Sequence, residues 1–249
     1  DQADIYGEYG GEAILGACLK TAPQLRDKMQ IITKCDIIMS FGKYASARVK
    51  HYDTSRAHIL NSVEASLKNM HQGEIDLLLM HRPDPHMDHR ETGATLAQLV
   101  ASGKVRAGGV SNFRPHDFSL LQSAMQSPLI TNQIELSVTA TQPFTNGDLA
   151  FLQERDIRPM AWSPLGGGAL FGDEDTPLTR ALDLAAQRFD TDRANTALAW
   201  LLRHPAGILP VLGTNRLARI EKMAQSVEIE MDRETWFEIY EASIGHPVD

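Results

Sequence analysis

The sequence predicts an α/β protein of the TIM (β/α)8 barrel class, in which eight parallel strands form a barrel surrounded by helices. Apolar runs of strand length alternate with longer amphipathic stretches, the order expected for βα units and a parallel sheet. The runs are apolar along most of their length, as strands covered on both faces are. An open doubly wound sheet is the alternative. That fold usually has a glycine-rich turn after its first strand, and no such turn is present near the start.

Seven strands are predicted. The first ends within residues 1–5, and the other six lie at residues 30–37, 75–80, 106–110, 129–135, 157–162 and 207–212. A closed barrel needs one more strand, so we expect a first strand and helix to be missing from the sequence ahead of Asp1. No linker or low-complexity tract divides the 249 residues, and barrels of this size commonly form one domain. We therefore expect a single domain over residues 1–249.

Eight helices are predicted, and several begin or end at residues typical of helix termini. Thr54 and Ser55 are expected to cap one helix, Gly103 follows another, and Pro115 opens a third. The predicted helices lie at residues 11–21, 54–70, 92–102, 115–125, 148–155, 191–203, 217–226 and 232–243.

The composition excludes several classes of protein. Hydrophobic residues make up 43% and charged residues 22% of the chain, which is typical of folded domains. The net charge of −8 argues against a nucleic-acid partner. No apolar run approaches the ~18 residues that span a bilayer, so we expect no membrane partner. Cys18 and Cys35 cannot build a disulfide framework or a zinc site. With no visible signal peptide, they favour a cytoplasmic location.

Polar side chains with complementary chemistry follow three successive predicted strands. Asp1 and Tyr6 follow the first strand, Lys34 lies at the end of the second, and His81 follows the third. In a TIM barrel the carboxyl ends of the strands share one face, where catalysis takes place. An ammonium beside a tyrosine hydroxyl stabilises the phenolate, a carboxylate holds the ammonium, and a histidine can donate to a carbonyl oxygen. The set suits protonation of an oxyanion that forms from a carbonyl.

Each of these residues also has an ordinary structural interpretation when it is taken alone. A lysine at a strand end is usually a surface residue, and a histidine after an apolar strand is more often structural than catalytic. A metal-dependent hydrolase on the same barrel is a further interpretation, because histidines and acids cluster within nine residues. They are His81, Asp84, His86, Asp88 and His89. The two prolines among them break any helix that would align these side chains.

Five motifs in this order resemble those of the aldo-keto reductases. They are Asp1-x-Ala3-x-x-Tyr6-Gly7, Thr33-Lys34, Leu77-Leu78-Leu79-Met80-His81, Gly109-Val110-Ser111-Asn112-Phe113 and Asn132-Gln133. The resemblance runs from Asp1 to about Ala242. Two further stretches, at residues 81–85 and 160–168, look most like the bacterial YdhF-type oxidoreductases of that family.

The resemblance implies an NADPH-dependent reductase of a small-molecule aldehyde or ketone. Asp1, Tyr6, Lys34 and His81 match the family's catalytic tetrad. Tyr6 is then the general acid, Lys34 and Asp1 tune it, and His81 orients the substrate carbonyl. The identity of the substrate stays open, and a monomer or weak homo-oligomer is expected. A cofactor-binding sensor or partner subunit with little catalysis is the alternative, although all four tetrad residue types are present.

The resemblance also implies a set of cofactor-binding residues. Ser111, Asn112 and Gln133 match residues that hydrogen-bond the nicotinamide carboxamide, although Ser111 and Asn112 taken alone would be a helix cap. Trp162 matches a ring that stacks on the nicotinamide. The matches to the pyrophosphate and adenosine segments are Ser163, Leu165, Gly166, Gly167, Gly213, Thr214, Asn215 and Arg219.

Recognition of the cofactor's 2′-phosphate is expected from the last of these segments. Arg219 would contact the phosphate with help from Arg216, which favours NADPH over NADH. The family often has Glu-Asn shortly after this arginine to touch the adenine, whereas here the stretch reads Glu221-Lys222-Met223. Lys222 is expected to add affinity for the phosphate.

Overall fold

The computed structural model describes residues 1–172 and 175–249 of the chain. The chain forms two compact units, Asp1–Asn132 and Gln133–Asp249. Parallel strands alternate with helices in each of them, as the sequence predicts. That the chain is a single domain stays a prediction.

The first unit holds a parallel sheet and its connecting helices. Its strands are β1 (Ile32–Cys35), β2 (Ile37–Ile38), β3 (His51–Tyr52), β4 (Ile75–Met80), β5 (Val105–Ser111) and the first half of β6 (Leu129–Glu135). Its helices are α1 (Tyr6–Tyr9), α2 (Gly11–Thr21), α3 (Arg56–Met70), α4 (His89–Ala101) and α5 (Pro115–Gln122), with short 3-10 helices at Pro23–Lys28 and Gly42–Tyr44. The sheet order is β1-β4-β5-β6, while β2 and β3 form a separate antiparallel pair.

The register of this sheet aligns the ends of β1 and β4. Lys34 lies opposite Leu79, and Cys35 lies opposite Met80, so the residues that follow both strands emerge at the same edge. All six residues of β4 are buried, which explains why the strand is apolar throughout its length except for Asp76. The Asp76 carboxylate accepts the Ile31 amide at 2.8 Å.

The second unit begins within β6. The rest of β6 is followed in the sheet by β7 (Met160–Trp162) and β8 (Leu209–Pro210). Its helices are α6 (Asp148–Glu154), α7 (Pro177–Arg188), α8 (Arg193–Leu202), α9 (Leu217–Ala224) and α10 (Arg233–Ile244), with 3-10 helices at Gln142–Phe144, Gly166–Phe171 and Gln225–Glu228. Trp200 and Trp236 stack at 4.8 Å in its core, and each indole N–H donates to the other's carbonyl oxygen.

Several predicted elements are confirmed at their predicted bounds. The strands at 75–80 and 129–135 and the helix at 11–21 match β4, β6 and α2. Ser55 caps α3 by accepting the His58 amide, as the sequence predicts. The helix predicted at 92–102 begins earlier, because Asp88 is its N-cap.

Four predicted strands are corrected. Residues 1–5 are not a strand, although the Gln2 and Asp4 amides donate to carbonyl oxygens of β1 at 2.8 and 2.9 Å. The strand predicted at 30–37 ends at Cys35, because Asp36 has φ of 106° and interrupts the extended backbone. The strand predicted at 157–162 is shorter and covers Met160–Trp162. The strand predicted at 207–212 is reduced to Leu209–Pro210, because Gly207 at its predicted start has φ of 65°.

The helix α7 is absent from the prediction. Its signals are present, because Thr176 caps it, Pro177 occupies its first turn, and apolar residues recur at helical spacing. None of the helices in the described part of the chain is long and apolar enough to cross a membrane.

Candidate active site

Three acceptors hold Lys34 at the end of β1. The side chain is fully buried. Its Nζ lies 2.6 Å from Asp1 Oδ2, 2.8 Å from the Gln2 carbonyl oxygen and 3.1 Å from the Tyr6 hydroxyl. These contacts use all three donors of an ammonium. Burial lowers the pKa of Lys34, and the adjacent Tyr6 opposes that shift. The ammonium therefore has a fixed place between a carboxylate and a phenol.

Tyr6 lies between Lys34 and His81. The Lys34 Nζ is 4.7 Å from the centroid of the Tyr6 ring. The Tyr6 and His81 rings meet edge to face, with centroids 5.9 Å apart. The next residue, Gly7, has φ of 57°, a conformation that glycine adopts at little cost. Tyr6 remains 39% exposed, so a small molecule can reach it. The structure thus brings the four predicted tetrad residues together within the first unit.

His81 follows β4 and is buried in the neutral form. It is 8% exposed, and its amide donates to the Cys35 carbonyl oxygen at 3.0 Å. Burial, aided by the positive charges of Lys34, Arg82 and Lys50, lowers the pKa of His81 to about 3. A neutral imidazole keeps one N–H donor and one acceptor, so His81 can donate a hydrogen bond without a change of charge.

The buried neutral His81 predicts a specific pH dependence of stability. Between the folded pKa of about 3 and the ordinary value of 6.5, the unfolded chain binds the proton and the folded chain does not. This residue's contribution to the free energy of unfolding therefore falls as the pH drops from 6.5, by at most roughly 1.4 kcal/mol per pH unit. Urea denaturation of the wild type and His81→Gln at pH 5 and pH 7 measures it. If the free energy of unfolding changed equally between pH 5 and pH 7 in the two proteins, His81 would not be buried in its neutral form.

Ser111 and Asn112 end β5 and hydrogen-bond each other. The Asn112 Nδ2 donates to Ser111 Oγ at 2.8 Å and to the His81 carbonyl oxygen at 3.4 Å. Asn112 has φ of 62°. The alternative that these two residues cap a helix is wrong, because Arg114 is the N-cap of α5. Both residues therefore lie beside the tetrad's histidine in the first unit.

Gln133 and Trp162 lie on adjacent strands of the second unit. Gln133 pairs with Met160 in the β6–β7 register, and it is buried with Nε2 3.8 Å from Met160 Sδ. Trp162 is half-buried at the end of β7, and its carbonyl oxygen accepts the Leu136 amide. Neither residue lines the cleft formed by cofactor candidates that follow β7 and β8.

That cleft has a volume of about 410 Å³ and lies between the segments that follow β7 and β8, a size suited to a small ligand. Seven predicted residues line it: Ser163, Leu165, Gly167, Gly213, Thr214, Asn215 and Arg219. The eighth, Gly166, is not part of the lining. A Cβ on Gly166 would lie 2.6 Å from Thr139 Oγ1, so this glycine allows close packing beneath the cleft.

The glycine run opens the backbone toward a ligand. Gly166, Gly167 and Gly168 all have positive φ, at 61°, 63° and 101°. A Cβ on Gly167 or Gly168 would meet no atom within 4 Å. The Gly166 and Gly168 amides donate to the Ser163 and Leu165 carbonyl oxygens at 2.9 and 3.2 Å. The open space at Gly167 and Gly168 therefore fits a phosphate group by letting it approach the backbone closely.

The basic residues near the cleft differ in whether their side chains are free of an acidic partner and so able to bind an anion. Within residues 1–172 and 175–249, the guanidinium of Arg219 makes no hydrogen bond or ion pair, and its Cζ lies 5.4 Å from the centroid of the Phe171 ring. Arg216 also lines the cleft. The expectation that Lys222 adds phosphate affinity is corrected, because its Nζ lies 2.8 Å from the Asp192 carboxylate. That ion pair ties α9 to the start of α8.

The histidine and acid cluster after β4 has a structural use. Asp84 accepts the Thr54 hydroxyl at 2.8 Å and the His86 amide at 2.8 Å, while Asp88 caps α4. In the described part of the chain, no three His, Cys, Asp or Glu side chains are grouped to hold a metal ion. The acids of this cluster therefore shape a turn and a helix end.

Sequence reasoning missed two residues beside these sites. Asp36 is fully buried, and its Oδ2 accepts the Arg82 amide at 3.1 Å, which holds the backbone just after His81. The only sequence signal was an acid inside an apolar strand. Phe171 lines the cleft. An aromatic residue near a glycine run is common in loops, so the sequence did not mark Phe171 as a binding residue.

The comparison with protein families decides the classification. The model of the aldo/keto reductase family matches residues 1–244. The chain belongs to the aldo/keto reductase family. It is therefore an NAD(P)H-dependent oxidoreductase, and NADPH is the cofactor that aldo-keto reductases use.

Similar proteins agree with this classification. The chain is 60% identical to a 6-dehydroglucose reductase of Agrobacterium fabrum, over 100% of the chain and 84% of the relative. It is 42% identical to the oxidoreductase YdhF of Escherichia coli, over 100% of the chain and 83% of the relative. The resemblance to YdhF-type oxidoreductases is confirmed.

Solved structures confirm the predicted fold class. A thermostable aldo-keto reductase, crystallised with the inhibitor epalrestat, superposes with a TM-score of 0.84 at 24% identity over 97% of the chain and 81% of its own. An aldo/keto reductase from Klebsiella pneumoniae, crystallised with NADP and acetate, gives 0.79 at 23% identity over 99% and 79%. The chain therefore has the fold of this family.

Proposed function

We propose that the protein reduces the carbonyl group of a small aldehyde or ketone with NADPH, and that Tyr6 is the general acid. The observation that carries the proposal is the position of Lys34 Nζ, 2.6 Å from the Asp1 carboxylate and 3.1 Å from the Tyr6 hydroxyl. A phenol beside a fixed ammonium can give up its proton, because the ammonium stabilises the phenolate that remains.

Each tetrad residue then has a distinct task. Tyr6 delivers its proton to the carbonyl oxygen as negative charge develops there. Lys34 stabilises the resulting phenolate, and Asp1 keeps the ammonium in place. Neutral His81, whose ring meets Tyr6 edge to face at 5.9 Å, donates a hydrogen bond that orients the carbonyl oxygen.

NADPH, when bound, supplies the hydride. We assign the nicotinamide carboxamide to Ser111, Asn112 and Gln133, and its ring to Trp162. The pyrophosphate and adenosine parts are assigned to the cleft, whose backbone at Gly167 and Gly168 is open and whose Arg219 has no anionic partner in the described residues. These features support NADPH over NADH, because a guanidinium matches the 2′-phosphate.

The similar proteins support a choice of the first substrate class to test. A relative that is 60% identical over the whole chain is a 6-dehydroglucose reductase, so a sugar with an aldehyde group is the first substrate to test. Phenolic proton donation and a single neutral histidine suit any small carbonyl compound. We also propose a cytoplasmic monomer or weak homo-oligomer, which sedimentation of the purified protein would test.

Binding and turnover together test the function. Tryptophan fluorescence of the purified protein is titrated with NADPH and with NADH, and Trp162→Phe is the control because Trp200 and Trp236 are packed in the core. We expect quenching by NADPH at micromolar concentration, weaker quenching by NADH, and oxidation of NADPH by 6-dehydroglucose. Tight binding without turnover of any carbonyl compound would favour a cofactor-sensing subunit. No binding of either nucleotide would overturn the proposal.

A further inference from the structure

Phe171 is a large apolar side chain that is left in solvent beside the cleft. It ends the 3-10 helix Gly166–Phe171, and it is 50% exposed. Both Phe171 and Arg219 line the cleft, and the Arg219 Cζ lies 5.4 Å from the centroid of the Phe171 ring. We propose that Phe171 sets the preference for NADPH over NADH by holding the Arg219 guanidinium in position for the 2′-phosphate. This inference rests on the proposed function.

The backbone on both sides of Phe171 is clamped. Arg193 Nη1 donates to the Leu170 carbonyl oxygen at 2.9 Å and to the Gly172 carbonyl oxygen at 3.2 Å. Arg193 is itself fixed by two hydrogen bonds to the Asp183 carboxylate, at 2.8 and 2.6 Å. The Leu170 side chain is buried in the core of the second unit. The ring of Phe171 therefore projects from a backbone whose position is fixed, and it presents its face to the guanidinium.

Arg219 needs such a support more than Lys222, the other cation of α9. Lys222 is paired with Asp192, whereas the guanidinium of Arg219 makes no ion pair or hydrogen bond within residues 1–172 and 175–249. An arginine side chain loses considerable rotamer entropy when it is fixed. A ring that already restricts it lowers that cost when the phosphate binds. The ring contact leaves the N–H groups of the guanidinium available for the phosphate, because a cation–π contact uses none of them in a hydrogen bond to an acceptor atom.

The contribution of Phe171 is specific to one cofactor. The energies of cation–π contacts correspond to an affinity change of about 3- to 30-fold. The change should fall on NADPH alone, because NADH lacks the 2′-phosphate. A ring that instead stacked on the adenine base would affect NADPH and NADH equally, since both contain adenine.

The test compares dissociation constants for NADPH and NADH by fluorescence titration of the purified protein. The variants are Phe171→Leu, Phe171→Tyr, Arg219→Ala and the double variant Phe171→Leu/Arg219→Ala. Leu184→Ala is the control, because Leu184 is an apolar side chain of α7 that is 57% exposed and does not line the cleft. Phe171→Leu should weaken NADPH binding by about 3- to 30-fold and leave NADH binding unchanged, and Phe171→Tyr should restore the preference. The double variant should bind NADPH no more weakly than Arg219→Ala, since the two residues act through one contact.

Three results would overturn the inference while the proposed function stands. They are unchanged NADPH binding by Phe171→Leu, an equal loss for NADPH and NADH, or a loss of the same size in Leu184→Ala. A wild-type protein that binds neither nucleotide would overturn the proposed function and this inference together.

Discussion

Replacement of Tyr6 by phenylalanine is expected to lower kcat for carbonyl reduction by ~10²–10⁴, the range for the loss of a general acid. The phenyl ring keeps the ring contacts with Lys34 and His81, but it loses the hydroxyl that accepts from Lys34 and has no proton to deliver. The affinity for NADPH should hardly change, because the cleft residues that we assign to the adenosine end lie after β7 and β8. Steady-state turnover and a fluorescence titration of Tyr6→Phe measure the two quantities.

Tyr9→Phe is a matched control for this variant. Tyr9 ends the same short helix, and its hydroxyl accepts the Met39 amide at 3.0 Å, which is a structural contact. The control should keep wild-type turnover. If Tyr6→Phe turned over as fast as the wild type, Tyr6 would not be the general acid.

Replacement of Lys34 by methionine is expected to affect both catalysis and stability. The phenolate of Tyr6 loses its stabilising ammonium, so kcat should fall by ~10² or more. The Asp1 carboxylate, which is 13% exposed, loses its ion pair with Lys34. Removing one member of a buried ion pair costs about 3–5 kcal/mol, and we expect roughly 2–4 kcal/mol here because of that residual exposure. Denaturant unfolding and turnover assays measure the two effects.

The double variant Lys34→Met/Asp1→Asn separates the two effects. Replacement of the Asp1 carboxylate as well should restore much of the free energy of unfolding, because both members of the ion pair are then neutral. Turnover should stay low, since no ammonium faces the phenol. Recovery of activity together with stability would mean that Lys34 acts only as a structural residue.

Much of the candidate site is predictable from the sequence because it depends on strand ends. Lys34 and His81 follow apolar runs that are covered on both faces, and parallel pairing in register places both at one edge. Tyr6 joins them because a short turn at Gly7 follows it and the Gln2 and Asp4 amides bond to β1. Local patterns and the order of the strands are enough to predict such a group of residues.

The remaining features depend on contacts that local patterns do not contain. Asp36 interrupts a strand through a φ of 106°, a conformation that nothing in a run of apolar residues predicts and that is often found near functional sites. Lys222 pairs with Asp192, thirty positions away, so its charge alone suggested a phosphate contact. Phe171 acquires a role only from its distance to Arg219, which tertiary structure sets.

Transfer of a labelled hydride tests the central claim most directly. The wild-type protein is incubated with 6-dehydroglucose and with simple aldehydes and ketones, in the presence of NADPH that carries deuterium at both C4 positions. The product is then analysed by mass spectrometry. We predict an alcohol with one deuterium on the former carbonyl carbon, formed quickly by the wild type and very slowly by Tyr6→Phe. Absence of deuterium from the product, or equal rates for the two proteins, would contradict carbonyl reduction with Tyr6 as the acid.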